Sequence, residues 1–157
     1  MVYVSGALSA AADLDAARRL YERIADTCAT AGMQAFLPHL SNDPARHPDV
    51  DAIEVFRRDL KALSAADLVV AYLGIASTGV GAELAMAADL GIPILAIYAK
   101  GDRVSRFVLG LLRAHNAQEL RVEMDDLQTE LLRELAGMSL SPPTESRSVV
   151  ELLTGEE

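Results

Sequence analysis

The chain has 157 residues, enough for one hydrophobic core of ordinary depth and too few for two. Apolar residues reach 51% with only 4% aromatic and no Trp, the composition of an Ala-, Leu- and Val-rich core of helices packed on a sheet. A net charge of -9 argues against DNA or RNA as a polymeric partner, since that affinity comes from Lys and Arg neutralising phosphates, but leaves room for a small anion held by donors at a helix N-terminus.

Val2-Tyr3-Val4-Ser5 is a β-prone run closed by Gly6, which predicts a first strand delivered into a tight turn. Leu14, Ala17, Tyr21, Ile24 and Cys28 then repeat at helical spacing up to Gly32, a natural C-terminal cap. Cys28 is the sole cysteine, so it predicts a buried thiol in a reducing compartment. No charged segment followed by an apolar run opens the chain and no stretch approaches about 20 apolar residues, so a cytoplasmic protein without membrane contact is expected.

Met33 to Leu37 predicts a second strand ended by Pro38, and residues 39–49, rich in Pro, His, Ser, Asn and Asp, predict a long loop. His39 and His47 in that loop lack the companion ligands of a zinc site and are expected to be solvated. A second helix carries Ile53, Phe56, Leu60 and Leu63 on one face, with Asp59 about 60° to 80° from the centre of that stripe, at the border of burial. Arg57, Arg58 and Lys61 fall on its solvated side.

Ala66 to Leu73 is a nearly continuous apolar run, which suits a central strand covered on both faces. The loop Gly74 to Gly81 leads into a helix from Ala82 to Leu90 ended by Gly91, and Ile92 to Tyr98 is a fourth strand with Pro93 near its start. A helix from Arg103 to His115, a fifth strand from Leu120 to Met124 and a helix from Asp125 to Leu135 follow. Five β-α repeats predict a doubly wound, flavodoxin- or Rossmann-like three-layer α/β sandwich on a five-stranded parallel sheet, with its ligand outside the carboxyl ends of the strands. Residues 1–137 are expected to form the domain, and residues 138–157, with Pro142, Pro143 and many Ser and Glu, a weakly ordered tail.

The chemistry concentrates in Ser77-Thr78-Gly79-Val80-Gly81-Ala82-Glu83, where two glycines, two hydroxyls and a carboxylate meet at a strand-to-helix turn. It is neither a Walker A loop nor a full dinucleotide-binding glycine pattern. Two roles for Glu83 stay open from these residues. It complements the helix dipole, or that dipole keeps it ionised in a partly desolvated site where a carboxylate attacks or stabilises a cationic sugar carbon, with Asp59 as a second carboxylate.

Val2-Tyr3-Val4-Ser5-Gly6, Asp59-Leu60, Ala66 to Ala71, Ser77 to Leu84 and Ala88-Asp89-Leu90-Gly91-Ile92-Pro93-Ile94-Leu95 together resemble the nucleoside 2-deoxyribosyltransferase-like proteins, especially their branch of 2'-deoxynucleoside 5'-monophosphate N-glycosidases. The resemblance covers roughly residues 2 to 125, and Gly-Val-Gly-x-Glu followed by Gly-x-Pro is its specific part. It implies cleavage of the bond between base and deoxyribose, with Glu83 as the nucleophile of a covalent sugar-enzyme intermediate. Asp59 would protonate or position the leaving base or activate water, and Tyr3 would orient the nucleophile or line the sugar site. Ser5, Gly6, Ser77, Gly79 and Gly81 fall where the substrate's sugar and phosphate are held. Ser105 falls where that branch lends a hydroxyl to the phosphate in the neighbouring subunit.

The resemblance thus implies a homodimer acting on a small nucleoside or nucleotide without metal or organic cofactor. One departure is visible: after Gly6 that branch commonly carries a Ser and then an Arg, whereas Ala7, Leu8 and Ser9 stand here. Base exchange by a deoxyribosyltransferase differs only in what captures the sugar on Glu83. A non-catalytic nucleotide-binding domain would have no use for the Asp59 and Glu83 pair beside an anionic ligand, and a response regulator would need an acidic cluster after the first strand.

Overall fold

The computed structural model describes residues 1–8, 10–43 and 48–138. His47 and residues 139–157 of the expected tail lie outside them. Strands β1 (Val2–Ser5), β2 (Ala35–Phe36), β3 (Leu68–Tyr72), β4 (Ile94–Ala99) and β5 (Gln118–Val122) form one parallel sheet in the order β2-β1-β3-β4-β5. The helices are α1 (Leu14–Thr30), the short α2 (His39–Asn42), α3 (Ala52–Ser64), α4 (Thr78–Asp89), α5 (Arg106–Ala114) and α6 (Leu127–Gly137). This is the flavodoxin-like doubly wound order, with its switch point between β1 and β3.

Alternation along the strands builds two cores. Val2 and Val4 of β1, Val70 of β3 and Leu95 of β4 face Tyr21, Ile24 and Cys28 of α1 and Leu127 and Leu131 of α6. Tyr3, Val69, Ala71 and Ala96 face the other way, against Leu63 of α3, Val80, Leu84 and Ala87 of α4, and Leu112 of α5. Leu84 is fully buried, which stabilises α4 on the sheet by about 1.5–3 kcal/mol and fixes the azimuth of its neighbour Glu83.

Several expectations shift. The second strand shrinks to two residues, and the fifth begins two residues earlier than the apolar pattern suggests, because Gln118 and Glu119 pair with Leu95 and Ala96 at the sheet edge. The long loop contains α2, and His39 is buried rather than solvated: it packs near the Tyr21 ring with Nε2 3.7 Å from Glu22. Arg18 is buried too, donating through Nε to the fully buried Asp43 at 2.7 Å and tying α1 to the segment after β2. On α3 only Leu60 and Leu63 of the predicted stripe are buried, while Ile53 and Phe56 stay exposed.

Candidate active site

The β3–α4 turn is shorter than its glycines suggest. Ser77 is the N-cap, its Oγ accepting from the Val80 amide at 3.4 Å, so Gly79 and Gly81 already lie in the first helical turns. Glu83 therefore sits in the second turn of α4 rather than at its start, beyond the residues on which the helix dipole acts most strongly. What governs its carboxyl is burial, which pushes its pKa above the ordinary value, opposed by hydrogen bonds from the hydroxyls of Ser5 and Tyr3. The expectation that the dipole keeps Glu83 ionised gives way to a desolvated carboxyl held by two hydroxyl donors.

Those donors come from one strand face. Tyr3 Oη donates to Glu83 Oε1 at 2.9 Å, and Ser5 Oγ donates to Glu83 Oε2. Both residues are fully buried. Burial and the carboxylates of Glu83 and Asp59 drive the Tyr3 phenol far above its usual pKa, so it stays protonated and keeps donating. Phe36, at the end of β2, stacks on the Tyr3 ring with centroids 5.7 Å apart and fixes its plane.

Asp59 reaches the same place from α3, which packs on α4. Asp59 and Glu83 line one cavity of about 200 Å³ with Phe56, Leu60, Leu63, Gly79, Ala82 and Met86. Two carboxyl groups thus open on mostly apolar walls, where electrostatic effects exceed those in water. Sequence reasoning missed Phe36, Phe56 and Met86 as parts of this centre. Only the hydrophobic position of Phe56 three residues before Asp59 hinted at any of them.

The remaining expected residues divide. At 100° per residue, Gly79, Ala82, Glu83 and Met86 share one flank of α4, while Thr78, Gly81 and Leu84 face roughly the opposite way. Ser77, Gly81 and Ser105 accordingly line a second cavity, of about 340 Å³, with Thr78, Arg103 and Val108. Ser105 holds the N-cap position of α5 without a side-chain cap bond, so capping does not account for its hydroxyl. Gly6 has a packing reason of its own: a Cβ there would lie 2.3 Å from the Tyr21 ring, whose hydroxyl donates to the Ala7 carbonyl at 2.7 Å. Gly79 and Gly81 have no such reason, because a Cβ on either would meet only ordinary contact or open space.

The comparisons with known proteins agree with this architecture. A family model described as nucleoside 2-deoxyribosyltransferase matches residues 2–135. A protein from Methanosarcina barkeri with the provisional name 2'-deoxynucleoside 5'-phosphate N-hydrolase 1 is 30% identical over 92 residues, 57% of this chain and 58% of that relative's length. A protein of the same provisional name from Methanosarcina mazei is 28% identical over 111 residues, covering 69% of this chain and 67% of the relative. Among solved structures, a CMP N-glycosidase from Clostridium botulinum superposes with a TM-score of 0.64 at 17% identity over 83% of this chain and 95% of that one. A 2-deoxyribosyltransferase from Bacillus psychrosaccharolyticus superposes with a TM-score of 0.61 at 16% identity over 91% and 98%. At such identities these two likenesses speak for the fold.

Proposed function

The chain belongs to the nucleoside 2-deoxyribosyltransferase family, and from that premise we propose that it is an N-glycosidic hydrolase of (deoxy)nucleosides or their 5'-monophosphates, working through a glycosyl-enzyme intermediate on Glu83. The observation that carries this reading is the pair of carboxyl groups, Glu83 and Asp59, opening on one apolar cavity while two buried hydroxyls hold Glu83. A lone pair on a Glu83 oxygen forms a bond to C1' as the bond from C1' to the base breaks. The electron pair leaves on the base nitrogen, which takes a proton from Asp59. Water then attacks C1', giving its proton to Asp59, and the sugar-carboxylate bond breaks with its pair returning to Glu83.

Tyr3 orients Glu83, and Gly79 leaves room for the sugar beside the two carboxyls. Ser77, Gly81 and Ser105 serve the 5' end of the substrate. Because they line the opposite flank of α4 from Glu83, a site using both sets needs a second copy of the chain, and we assign a homodimer. Exposed Ile53, Phe56 and Phe107 offer apolar area for that contact. The lone, buried Cys28 is in keeping with a cytoplasmic setting.

Incubation with deoxynucleosides, ribonucleosides and their 5'-monophosphates, with and without a second free base, tests the reading. Base release without an acceptor is expected. Products formed only with an acceptor base would make the enzyme a transferase, and no reaction with any substrate would remove the catalytic reading.

A further inference from the structure

Resting on the N-glycosidase reading, we propose that Ser5 is a positioning residue for the nucleophile rather than a ligand to substrate: together with Tyr3 it clamps both oxygens of Glu83 and steadies the carboxylate as water releases the sugar. Strand alternation places Tyr3 and Ser5 on the same face of β1, opposite Val69 and Ala71 of β3. The Ser5 side chain is fully buried and its hydroxyl is directed to Glu83 Oε2, while Tyr3 serves Oε1. A carboxylate oxygen has about two acceptor sites, so each oxygen of Glu83 can take one buried hydroxyl and still present a lone pair to the cavity.

The clamp acts unequally on the two half-reactions. In the first, the negative charge of Glu83 is consumed as its oxygen bonds to C1', so donors to that carboxylate both maintain its ionised form and temper its attack. In the second, the bond from C1' to Glu83 breaks and the full charge returns to a partly desolvated carboxylate. Donors already aimed at both oxygens then stabilise the leaving group without rearrangement. Loss of the Ser5 hydroxyl therefore slows release of the sugar more than its capture.

Among the described residues, the titratable groups facing Glu83 are Tyr3 from β1 and Asp59 from α3, since Gly79, Ala82 and Met86 of α4 and Val69 and Ala71 of β3 are uncharged. Neither neighbour supplies a positive charge. The hydroxyl donors are thus what opposes the burial of this carboxyl.

Carboxyl-carbon NMR of 13C-Glu-labelled protein, with the Glu83 signal assigned by its loss in Glu83→Gln, tests this without requiring turnover. Ser5→Ala, which only removes an oxygen, should move the Glu83 titration up by about one pH unit, the scale of one hydrogen bond to a charged group. Ser5→Thr retains the donor and should titrate near the wild type. Ser5→Cys, a weak donor of similar size, should fall between wild type and Ser5→Ala and replaces the Thr variant if the added methyl prevents folding.

In turnover assays Ser5→Ala should lower kcat roughly tenfold or more, shift the acid limb upward with the NMR titration, accumulate glycosyl-enzyme in quenched samples, and leave KM unchanged or lower. A Glu83 titration identical in wild type and Ser5→Ala would overturn the clamp, as would a raised KM at unchanged kcat, which would make Ser5 a substrate ligand. Absence of base release by the wild type would remove the N-glycosidase reading while the NMR result still decides whether Ser5 governs Glu83.

Discussion

Tyr3 Oη donates to Glu83 Oε1 across 2.9 Å, joining the middle of the first strand to a carboxyl 80 positions later on α4. Because burial holds the Glu83 pKa above its ordinary value, activity that needs the ionised form is lost on acidification at a higher pH than an ordinary glutamate would give. The acid limb of kcat/KM is expected above about pH 4.3. A limb at or below that value would contradict the burial assigned here.

Stability runs with the opposite sign. A carboxyl whose pKa is raised on folding favours the fold while protonated in both states, and that contribution disappears as pH rises through the folded-state value. Glu83→Gln removes the buried charge and keeps the shape, so it should raise Tm at pH 7 and lose that advantage at acid pH. Thermal melts of both proteins across pH 4 to 8 would check this, and a Tm lowered by the substitution at pH 7 would show the ionised carboxylate to be stabilising instead.

Asp59→Asn should preserve the fold, because Asp59 is only half-buried on the flank of α3 rather than inside the core, and should lower kcat by about 10²–10⁴, the range for loss of a general acid or base. Substrates with leaving bases that need no protonation should be spared most of that loss in the first half-reaction. An equal loss for every leaving base would deny Asp59 a role in protonation.

The glycines separate packing from function. Gly6→Ala drives a methyl into the Tyr21 ring and should destabilise by about 1–3 kcal/mol. Gly79→Ala meets nothing closer than Ser77 Oγ at 3.6 Å and should stabilise α4 by up to about 1 kcal/mol. The same methyl enters the cavity shared by Glu83 and Asp59, so kcat/KM should fall roughly tenfold or more. Denaturant melts and kinetics on the two variants would reveal the crossed pattern, and a fully active Gly79→Ala would remove that glycine from the site.

The fold was legible in the sequence because strand and helix periods alternate cleanly: β1 is found at Val2–Ser5 as the β-prone run predicts, and the apolar run around Leu68–Tyr72 is the central strand. Boundaries were less legible where tertiary pairing decides them, as with Gln118 and Glu119, polar residues drawn into β5 by β4. The two glycines read as loop became helix because Ser77 caps ahead of them. Burial of Arg18 and His39 was invisible, since each depends on a neighbour distant in sequence, Asp43 for the first and the Tyr21 and Glu22 region for the second. The pairing of Tyr3 with Glu83 was expected from the family's motif, but the contact of Ser5 with Glu83 required the register of β1 against β3 and α4.

If Ile53, Phe56 and Phe107 meet a second copy of the chain, Phe107→Ser should shift the protein toward monomer and reduce turnover together. Sedimentation velocity and base release measured over the same concentration range would test the link. A fully active monomer would leave Glu83 and Asp59 sufficient within one chain.

The most direct measurement is release of free base from a panel of deoxynucleosides, ribonucleosides and their 5'-monophosphates, run beside Glu83→Ala under identical conditions. Release by the wild type, reduced by at least about 10³-fold in Glu83→Ala with substrate still bound, is the outcome that nucleophilic catalysis by Glu83 requires. Release that persists in Glu83→Ala would contradict it and move the chemistry to another group.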